Sequence, residues 1–284
     1  MKRQIDIDPE LEYNYNNMAR RPDAPELLQR LAARSEAFRR EADAALDCRY
    51  GDGERERLDL FRCGELDAPL YVYIHGGYWQ RGDKSMYSYL AEPFNAAGID
   101  VAVVGYPLCP QVSMTRLVAS IRSALAWLWR NAGDLGVNPE RINLSGHSAG
   151  GHLTAMALAT RWPELGDDLP TDLVRTGIPL SGLYRLDPLL PTTIADALGL
   201  SAAEVSELSP VNLEPAVDAP LLVVIGGGET PGFFSQAGLL LEAWSRNECL
   251  VEKYVEPEVD HFDLLVRLGD PQSELFRRVT SWLE

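Results

Sequence analysis

Cysteine, histidine and basic residues are scarce in this chain of 284 residues. Its four cysteines contain no Cys-x-x-Cys pair, which favours reduced thiols in a reducing compartment over a disulfide framework. Its four histidines show no His-Glu-x-x-His or similar spacing, so we expect neither a metal site nor a cofactor. Lysine and arginine number 26 against 42 aspartates and glutamates, giving a net charge of −16. This charge disfavours nucleic acid or an anionic membrane as a partner. The cysteines are Cys48, Cys63, Cys109 and Cys249.

Long hydrophobic runs are also missing. Two basic residues near the N-terminus have no apolar stretch behind them, so we expect no signal peptide. The apolar stretches elsewhere are as long as strands, far short of the roughly 20 residues that cross a bilayer. We therefore expect a cytoplasmic protein that acts on a small molecule and has no membrane partner. Whether it forms a homodimer is left open at this stage.

A repeated strand–turn–helix pattern is present from residue 69 onward, in a chain that is 46% hydrophobic. Segments such as PLYVYIH, IDVAVVGY and PLLVVIGG are continuous apolar runs, typical of strands covered on both faces of a parallel sheet. Amphipathic helices are expected between them, one over 231–246 and a last one over 262–283. The alternation predicts a single α/β domain over 1–284, with a mostly parallel, doubly wound sheet and helices on both faces. Active sites of such sheets lie at the carboxyl ends of the strands.

Two segments stand apart from this pattern. Helical spacing over 25–46 predicts a leading helix within an N-terminal extension over 1–46, followed by short strands near 47–50 and 56–61. Residues 183–210 are rich in leucine and proline and interrupt the alternation. They predict a small cap over the sheet.

The sequence Gly146-His147-Ser148-Ala149-Gly150 matches the G-x-S-x-G motif of a nucleophile elbow. The predicted strand RINLS precedes it and a predicted helix follows it, which is the context that the motif requires. Small residues on either side of the serine let neighbouring backbone pass close to a strained turn. Ser148 is therefore the predicted nucleophile, and the alternative is an ordinary serine in a glycine-rich turn.

The segment His75-Gly76-Gly77-Tyr78-Trp79 directly follows the strand PLYVYIH. Glycine can turn its N–H group toward a carbonyl oxygen with no Cβ in the way. Together with the N–H of Ala149, those of Gly76 and Gly77 predict an oxyanion hole. The alternative is a plain turn at the end of a strand.

The general base is found by elimination among four histidines. His75 belongs to the oxyanion segment, and His147 occupies the variable position of the elbow. His152 lies four residues after Ser148 and is expected to pack along the same helix. His261 remains, in a loop between the last predicted strand and the last helix, where the chain order Ser, acid, His places the base.

The acid is expected after the strand PLLVVIGG, where the sequence has Glu229. A carboxylate there can hold the tautomer of His261 and stabilise its protonated form. The rivals are Asp218, which precedes that strand, and Asp260 and Asp263, which flank the histidine. We interpret these three as solvated surface charges.

Several of these segments resemble the kynurenine formamidase (arylformamidase) family, a metal-free, serine-dependent branch of the α/β hydrolases. The resemblance covers roughly residues 70–270. It implies Ser148 as nucleophile, Glu229 as acid and His261 as base. The family usually has aspartate as the acid, so the longer side chain of Glu229 is a departure that must retract. The matching segments are HGGYWQ, VGYPLCP, SGHSAGGHL, SGLYRLDPL and DHF.

The resemblance implies a serine hydrolase that cleaves a small acyl group from an aryl amide or ester through an acyl-enzyme. Its expected substrate is N-formyl-L-kynurenine, which would yield L-kynurenine and formate. The alternatives are a carboxylesterase for short acyl esters and, more distantly, a non-catalytic ligand-binding protein on a hydrolase scaffold. Tyr78 and Trp79 are expected to wall an aromatic leaving group, unless they pack beneath their loop. Tyr13 and Tyr15 are further candidates for covering the site.

Overall fold

An eight-stranded sheet forms the centre of the computed structural model, which describes residues 6–245 and 250–283. The strands are β1 (Ala44–Arg49), β2 (Arg57–Phe61), β3 (Leu70–Ile74), β4 (Asp100–Val104), β5 (Ile142–His147), β6 (Thr176–Leu180), β7 (Leu221–Gly226) and β8 (Val251–Glu256). Their order across the sheet is β1-β2-β4-β3-β5-β6-β7-β8. The pairs from β4 through β8 are parallel, and β2 runs antiparallel to both of its neighbours. The predicted mostly parallel sheet is confirmed.

Helices fill the connections between the strands. The α-helices are α1 (Pro9–Tyr15), α2 (Asn17–Arg20), α3 (Ala24–Glu41), α4 (Ala91–Ala96), α5 (Met114–Leu135), α6 (Ala149–Leu158), α7 (Ala195–Leu198), α8 (Ala202–Glu207), α9 (Pro231–Trp244), α10 (Asp263–Leu268) and α11 (Glu274–Thr280). Short 3₁₀ helices lie at Lys84–Leu90, Pro139–Arg141, Trp162–Glu164, Asp187–Leu189 and Pro210–Asn212. In the described part of the chain, no helix combines the length and apolarity that a membrane span requires.

The two faces of the sheet bury separate cores, as successive side chains of β3 show. Val72 and Ile74 point into a core that includes residues of α5, α6 and α9. Tyr71 and Tyr73 point to the other face, where α4, α10 and α11 pack and α3 contributes partly buried side chains. Because side chains alternate along a strand, a strand that is apolar throughout must be covered on both faces. The expected doubly wound arrangement is therefore present.

The C-terminal helix predicted over 262–283 is wrong as a single element. The structure has two helices there, α10 and α11, with Pro271 between them. Proline lacks the N–H that an interior helical residue donates and clashes with the preceding turn. Ser273 then begins α11 by accepting a hydrogen bond from the N–H of Phe276 at 2.9 Å.

The N-terminal extension is helical, but its leading helix ends at Glu41 because β1 already begins at Ala44. Residues 183–210 form short helices whose buried leucines join the core on the α5 and α6 face. The extension lies against them, since the N–H of Asp8 donates to the carbonyl of Pro191 at 2.8 Å. The single-domain division and the capping role of this segment stay predictions.

The thiols of Cys48, Cys63 and Cys109 are free. Cys249 lies outside the described residues.

Candidate active site

Ser148 lies on the turn that joins β5 to α6. Its backbone has φ 58° and ψ −116°, a combination that a residue with a Cβ adopts only under strain. The turn is held in place because the N–H of Ser148 donates to the carbonyl of Leu180, at the end of β6, over 2.8 Å. The strained geometry predicted from G-x-S-x-G is therefore present, at the carboxyl end of a central strand.

Glycine allows the end of β3 to approach this turn closely. A Cβ on Gly150 would lie 2.0 Å from the carbonyl oxygen of Ile74. One on Gly76 would lie 2.8 Å from the carbonyl oxygen of His147. Any larger residue at either position would push the two segments apart. The glycines thus bring the oxyanion segment next to the serine.

Glu229 and His261 form a hydrogen-bonded pair. His261 lies in the loop between β8 and α10, and its Nδ1 is 2.9 Å from Oε2 of Glu229. Both side chains are almost completely buried, at 5% and 1% exposure. The other carboxylate oxygen accepts hydrogen bonds from the hydroxyl of Ser181 and, at 3.2 Å, from the N–H of Gly226. Glutamate therefore reaches the imidazole from the turn after β7, as the sequence predicted.

The three rival carboxylates are placed differently. Asp260 and Asp263 both pair with the guanidinium of Arg21, at 2.6 and 2.8 Å. Asp260 also accepts from the N–H of Phe262 and Asp263 at the start of α10. Asp218 precedes β7, at the amino edge of the sheet. Among the acids considered, the structure brings Glu229 to the Nδ1 of His261.

The predicted oxyanion donors lie on the two segments that meet at Ser148, the turn after β3 and the start of α6. Gly77 has φ +121°, and its carbonyl accepts from the N–H groups of Gln80 and Arg81 at 3.0 and 3.1 Å, which closes a tight turn. Ala149 is the first residue of α6, so its N–H has no acceptor within the helix. The positive end of the α6 dipole adds to the field at this point. Gly76, Gly77 and Ser148 line one cavity.

Tyr78 lines this cavity, and its hydroxyl ties the turn to the N-terminal extension. It donates to the carbonyl of Tyr15 at 2.6 Å and accepts from the N–H of Asn17 at 2.9 Å. Tyr15 therefore lies behind Tyr78 and does not itself cover the site. Tyr13 is exposed, so neither tyrosine of the extension has the position considered from the sequence.

Trp79 does not wall the cavity, which corrects the sequence-based expectation. Its side chain is completely buried beneath the turn, and its Nε1 donates to Nδ1 of His152 at 3.2 Å. Nε2 of His152 in turn donates to the carbonyl of Leu208 at 2.7 Å. Burial lowers the pKa of His152 to about 4, so this imidazole is neutral and can accept from the indole. The buried contact between Trp79 and His152 therefore supports the turn that carries the oxyanion glycines.

His147 is a site residue that sequence reasoning missed. Its Nε2 donates to the carbonyl oxygen of His261 at 2.8 Å, and its side chain lines the cavity. Burial, together with repulsion from a protonated His261, holds the pKa of His147 well below its usual range. The imidazole is therefore neutral, with its proton on Nε2. The motif gave no signal for this contact, because it joins the variable position of the elbow to a loop 114 residues away.

The cavity has a volume of about 270 Å³ and a largely apolar lining. The N-terminal extension contributes Met18 and Leu28 to its wall, a role that the sequence did not reveal. In the described residues, no group of three or more histidine, cysteine, aspartate or glutamate side chains could hold a metal ion. The lining comprises Met18, Leu28, Gly76, Gly77, Tyr78, Arg81, Gly82, Met86, Tyr87, His147, Ser148, His261, Phe262 and Leu265.

Known proteins resemble this chain over most of its length. Kynurenine formamidase of Salmo salar is 30% identical over 237 residues, which cover 81% of this chain and 78% of that protein. The chain belongs to the kynurenine formamidase family. The enzyme of the same name from Danio rerio is 28% identical, over 92% of this chain and 90% of its own. These matches confirm the family resemblance, and the chain is a hydrolase of acyl amides or esters.

A family model and solved structures also resemble this chain. The BD-FAE family model matches residues 58–171. A putative thioesterase from Silicibacter sp. TM1040 is 35% identical, with a TM-score of 0.83 over 95% of this chain and 99% of that one. Esterase B of Lactobacillus rhamnosis is 18% identical, with a TM-score of 0.71 over 92% and 94% of the two chains. The α/β-hydrolase fold is thereby confirmed.

Proposed function

We propose that this member of the family hydrolyses N-formyl-L-kynurenine to L-kynurenine and formate, with Ser148 as nucleophile, His261 as base and Glu229 as acid. One observation carries the proposal. The pair of Glu229 and His261 is joined at 2.9 Å, and its imidazole lines the same cavity as the strained Ser148. The relatives named kynurenine formamidase supply the choice of substrate.

The first half of the reaction forms a formyl-enzyme. His261 takes the proton from the hydroxyl group of Ser148, and the serine oxygen attacks the formyl carbon. The resulting oxyanion accepts hydrogen bonds from the N–H groups of Gly76, Gly77 and Ala149. The protonated His261 then gives its proton to the aryl nitrogen, the C–N bond breaks, and kynurenine leaves.

The second half returns the enzyme to its starting state. His261 takes a proton from water, and the hydroxide oxygen attacks the formyl carbon. Collapse of the second oxyanion breaks the bond to Ser148, which recovers a proton from His261, and formic acid leaves and ionises to formate by giving its proton to water. Throughout, Glu229 accepts the Nδ1–H of His261 and stabilises the positive charge that the ring acquires twice. The hydroxyl of Ser181 and the N–H of Gly226 keep this carboxylate in place.

The cavity volume of about 270 Å³ is compatible with an aryl amine that carries a small acyl group. A formyl group needs almost no space, so most of the 270 Å³ can accommodate the aryl amine. Each misfitting group on the acyl side is expected to reduce transition-state binding by about 1–3 kcal/mol.

We also propose a cytoplasmic location and activity without a metal. The free thiols of Cys48, Cys63 and Cys109 suit a reducing compartment.

A short-chain carboxylesterase is the second candidate. The observation that favours it is the solved relative at 35% identity, which is described as a putative thioesterase. The same serine, base and oxyanion donors would serve ester hydrolysis, because both reactions pass through a tetrahedral oxyanion. The two candidates differ in the bond that is cleaved, an amide or an ester, and in the size of the preferred acyl group.

A side-by-side measurement of kcat/KM decides between them. The substrates are N-formylkynurenine, phenyl acetate and p-nitrophenyl octanoate, with Ser148→Ala as the blank. We expect the formamide to give the highest value, phenyl acetate a lower one and the octanoate none. Rapid turnover of phenyl acetate with no hydrolysis of the formamide would overturn the formamidase proposal in favour of the esterase.

A further inference from the structure

Arg81 provides the charge in an otherwise apolar cavity. Among the described residues that line the space around Ser148, it is the one arginine, lysine, aspartate or glutamate, so its guanidinium is the one permanent charge there. The side chain is exposed at the cavity wall, so its charge is accessible to a bound molecule.

In the described part of the chain, the charge of Arg81 has no carboxylate partner. Across residues 6–245 and 250–283, no aspartate or glutamate lies within ion-pairing distance of it, although the chain carries a net charge of −16. Two other arginines near the cavity are paired with carboxylates. Arg21 contacts Asp260 at 2.6 Å, and Arg55 contacts Asp83 at 3.4 Å. An arginine that stays unpaired in so acidic a chain is available to an anion.

The backbone fixes Arg81 relative to the oxyanion turn. Its N–H donates to the carbonyl of Gly77 at 3.1 Å. Its guanidinium carbon lies 5.7 Å from the centre of the Tyr78 ring, within the range of a cation–π contact. The charge is thus held on the same turn as the predicted oxyanion donors, where it can act on a substrate whose carbonyl occupies that site.

We propose that Arg81 binds a carboxylate on the leaving group, so that the enzyme selects aryl amides whose amine portion is an anionic or amino-acid-like molecule. The planar guanidinium offers two parallel N–H donors that match the two oxygens of a carboxylate. The proposal rests on the proposed function and specifies which part of its substrate is recognised.

The same lining suggests that the substrate's amino group matters less. In the described lining no acidic side chain is present to pair with an ammonium group. N-formylkynurenine and its analogue without the amino group, 4-(2-formamidophenyl)-4-oxobutanoate, are therefore expected to have similar kcat/KM values. The neutral 2′-formamidoacetophenone, which lacks the carboxylate as well, is expected to react more slowly.

The test measures kcat and KM for these three formamides with the wild type, Arg81→Met, Arg81→Lys and the control Arg161→Met. The side chain of Arg161 is 74% exposed and pairs with Glu164. Arg161→Met therefore changes the net charge by the same amount as Arg81→Met and leaves the cavity lining unchanged. For Arg81→Met we expect the loss in kcat/KM to be about 10–100-fold greater for the two carboxylates than for the neutral formamide, chiefly through KM. Arg81→Lys should recover part of this difference, and Arg161→Met should show none.

An equal loss on all three formamides would overturn the proposal, because Arg81 would then act only by supporting the turn. Equal values for wild type and Arg81→Met would overturn it too. If the wild type hydrolyses no formamide, the proposed function fails, and inhibition of p-nitrophenyl acetate hydrolysis then tests Arg81 independently. Kynurenine should inhibit the wild type more strongly than 2′-aminoacetophenone does, and Arg81→Met should abolish that preference. The same preference in both proteins would overturn the role of Arg81.

Discussion

Nε2 of His147 donates a hydrogen bond to the backbone carbonyl of His261 over 2.8 Å. His147 ends β5 and immediately precedes Ser148, so this bond connects the loop of the predicted base directly to the turn of the predicted nucleophile. This hydrogen bond, together with the packing of the loop, therefore helps to set the distance between His261 and Ser148.

Replacing His147 should impair turnover more than binding. In His147→Leu the carbonyl of His261 loses its donor, and we expect kcat to fall about 10–100-fold with little change in KM, because small misplacements of a base have effects of this size. His147→Gln, which keeps an N–H donor, should recover part of the loss. Steady-state kinetics on N-formylkynurenine, with melting temperatures as a control for folding, will check this. An unchanged kcat in folded His147→Leu would contradict it.

Ser148→Ala should lower turnover by about 10⁴–10⁶-fold while the protein stays folded. The reason is that the proposed reaction passes through a covalent bond to this oxygen. A fluorophosphonate probe should label the wild type and leave Ser148→Ala unlabelled, as judged by mass spectrometry. Labelling that persists in the variant would show that another residue is the nucleophile.

Glu229→Gln should reduce kcat by several orders of magnitude, because an amide cannot stabilise the positive charge on His261. Asp260→Asn is the matched control. Asp260 accepts from the backbone at the start of α10 and pairs with Arg21, and an asparagine can still accept those backbone hydrogen bonds. We expect Asp260→Asn to change kcat less than about tenfold. The opposite ranking of the two variants would mean that the acid has been assigned to the wrong residue.

The protein should lose stability as the pH falls from about 6.5 toward 4. Burial lowers the pKa of His75 and of His152 to about 4 in the folded state, against an ordinary value of 6.5. Between these values the unfolded chain binds protons that the folded chain does not. The free energy of unfolding therefore decreases as the pH is lowered, by as much as about 3 kcal/mol for each histidine. Urea midpoints measured between pH 7.5 and 4.5 should decrease, and less steeply in His152→Gln. A midpoint that does not change over this range would refute the prediction.

The sequence predicted the strands and the main site residues better than the contacts around them. The strands β3 and β7 carry no charged or amide side chain, a local property that marks a doubly covered strand without knowledge of its neighbours. The break at Pro271 was missed because apolar residues on both of its sides keep a helical spacing. Trp79 was misplaced because the sequence does not show on which side of a turn a side chain lies.

The supporting contacts of the site depend on distant parts of the chain. The bond from His147 to His261 spans 114 residues, and that from Ser181 to Glu229 spans 48. Neither has a local pattern from which it could be predicted. The arrangement of Glu229 and His261 is as expected from their positions after β7 and β8, while their catalytic roles stay predictions for the variants above to decide.

The hydroxyl of Tyr78 holds the N-terminal extension against the oxyanion turn, and that extension supplies Met18 and Leu28 to the cavity wall. These walls are encoded far from the region of 58–171 that carries the elbow and the oxyanion glycines. Mutations in the first thirty residues can therefore reshape the space for the leaving group while the bond-breaking groups keep their geometry. During divergence from a common ancestor, such an enzyme can acquire a new substrate through mutations in the N-terminal extension alone.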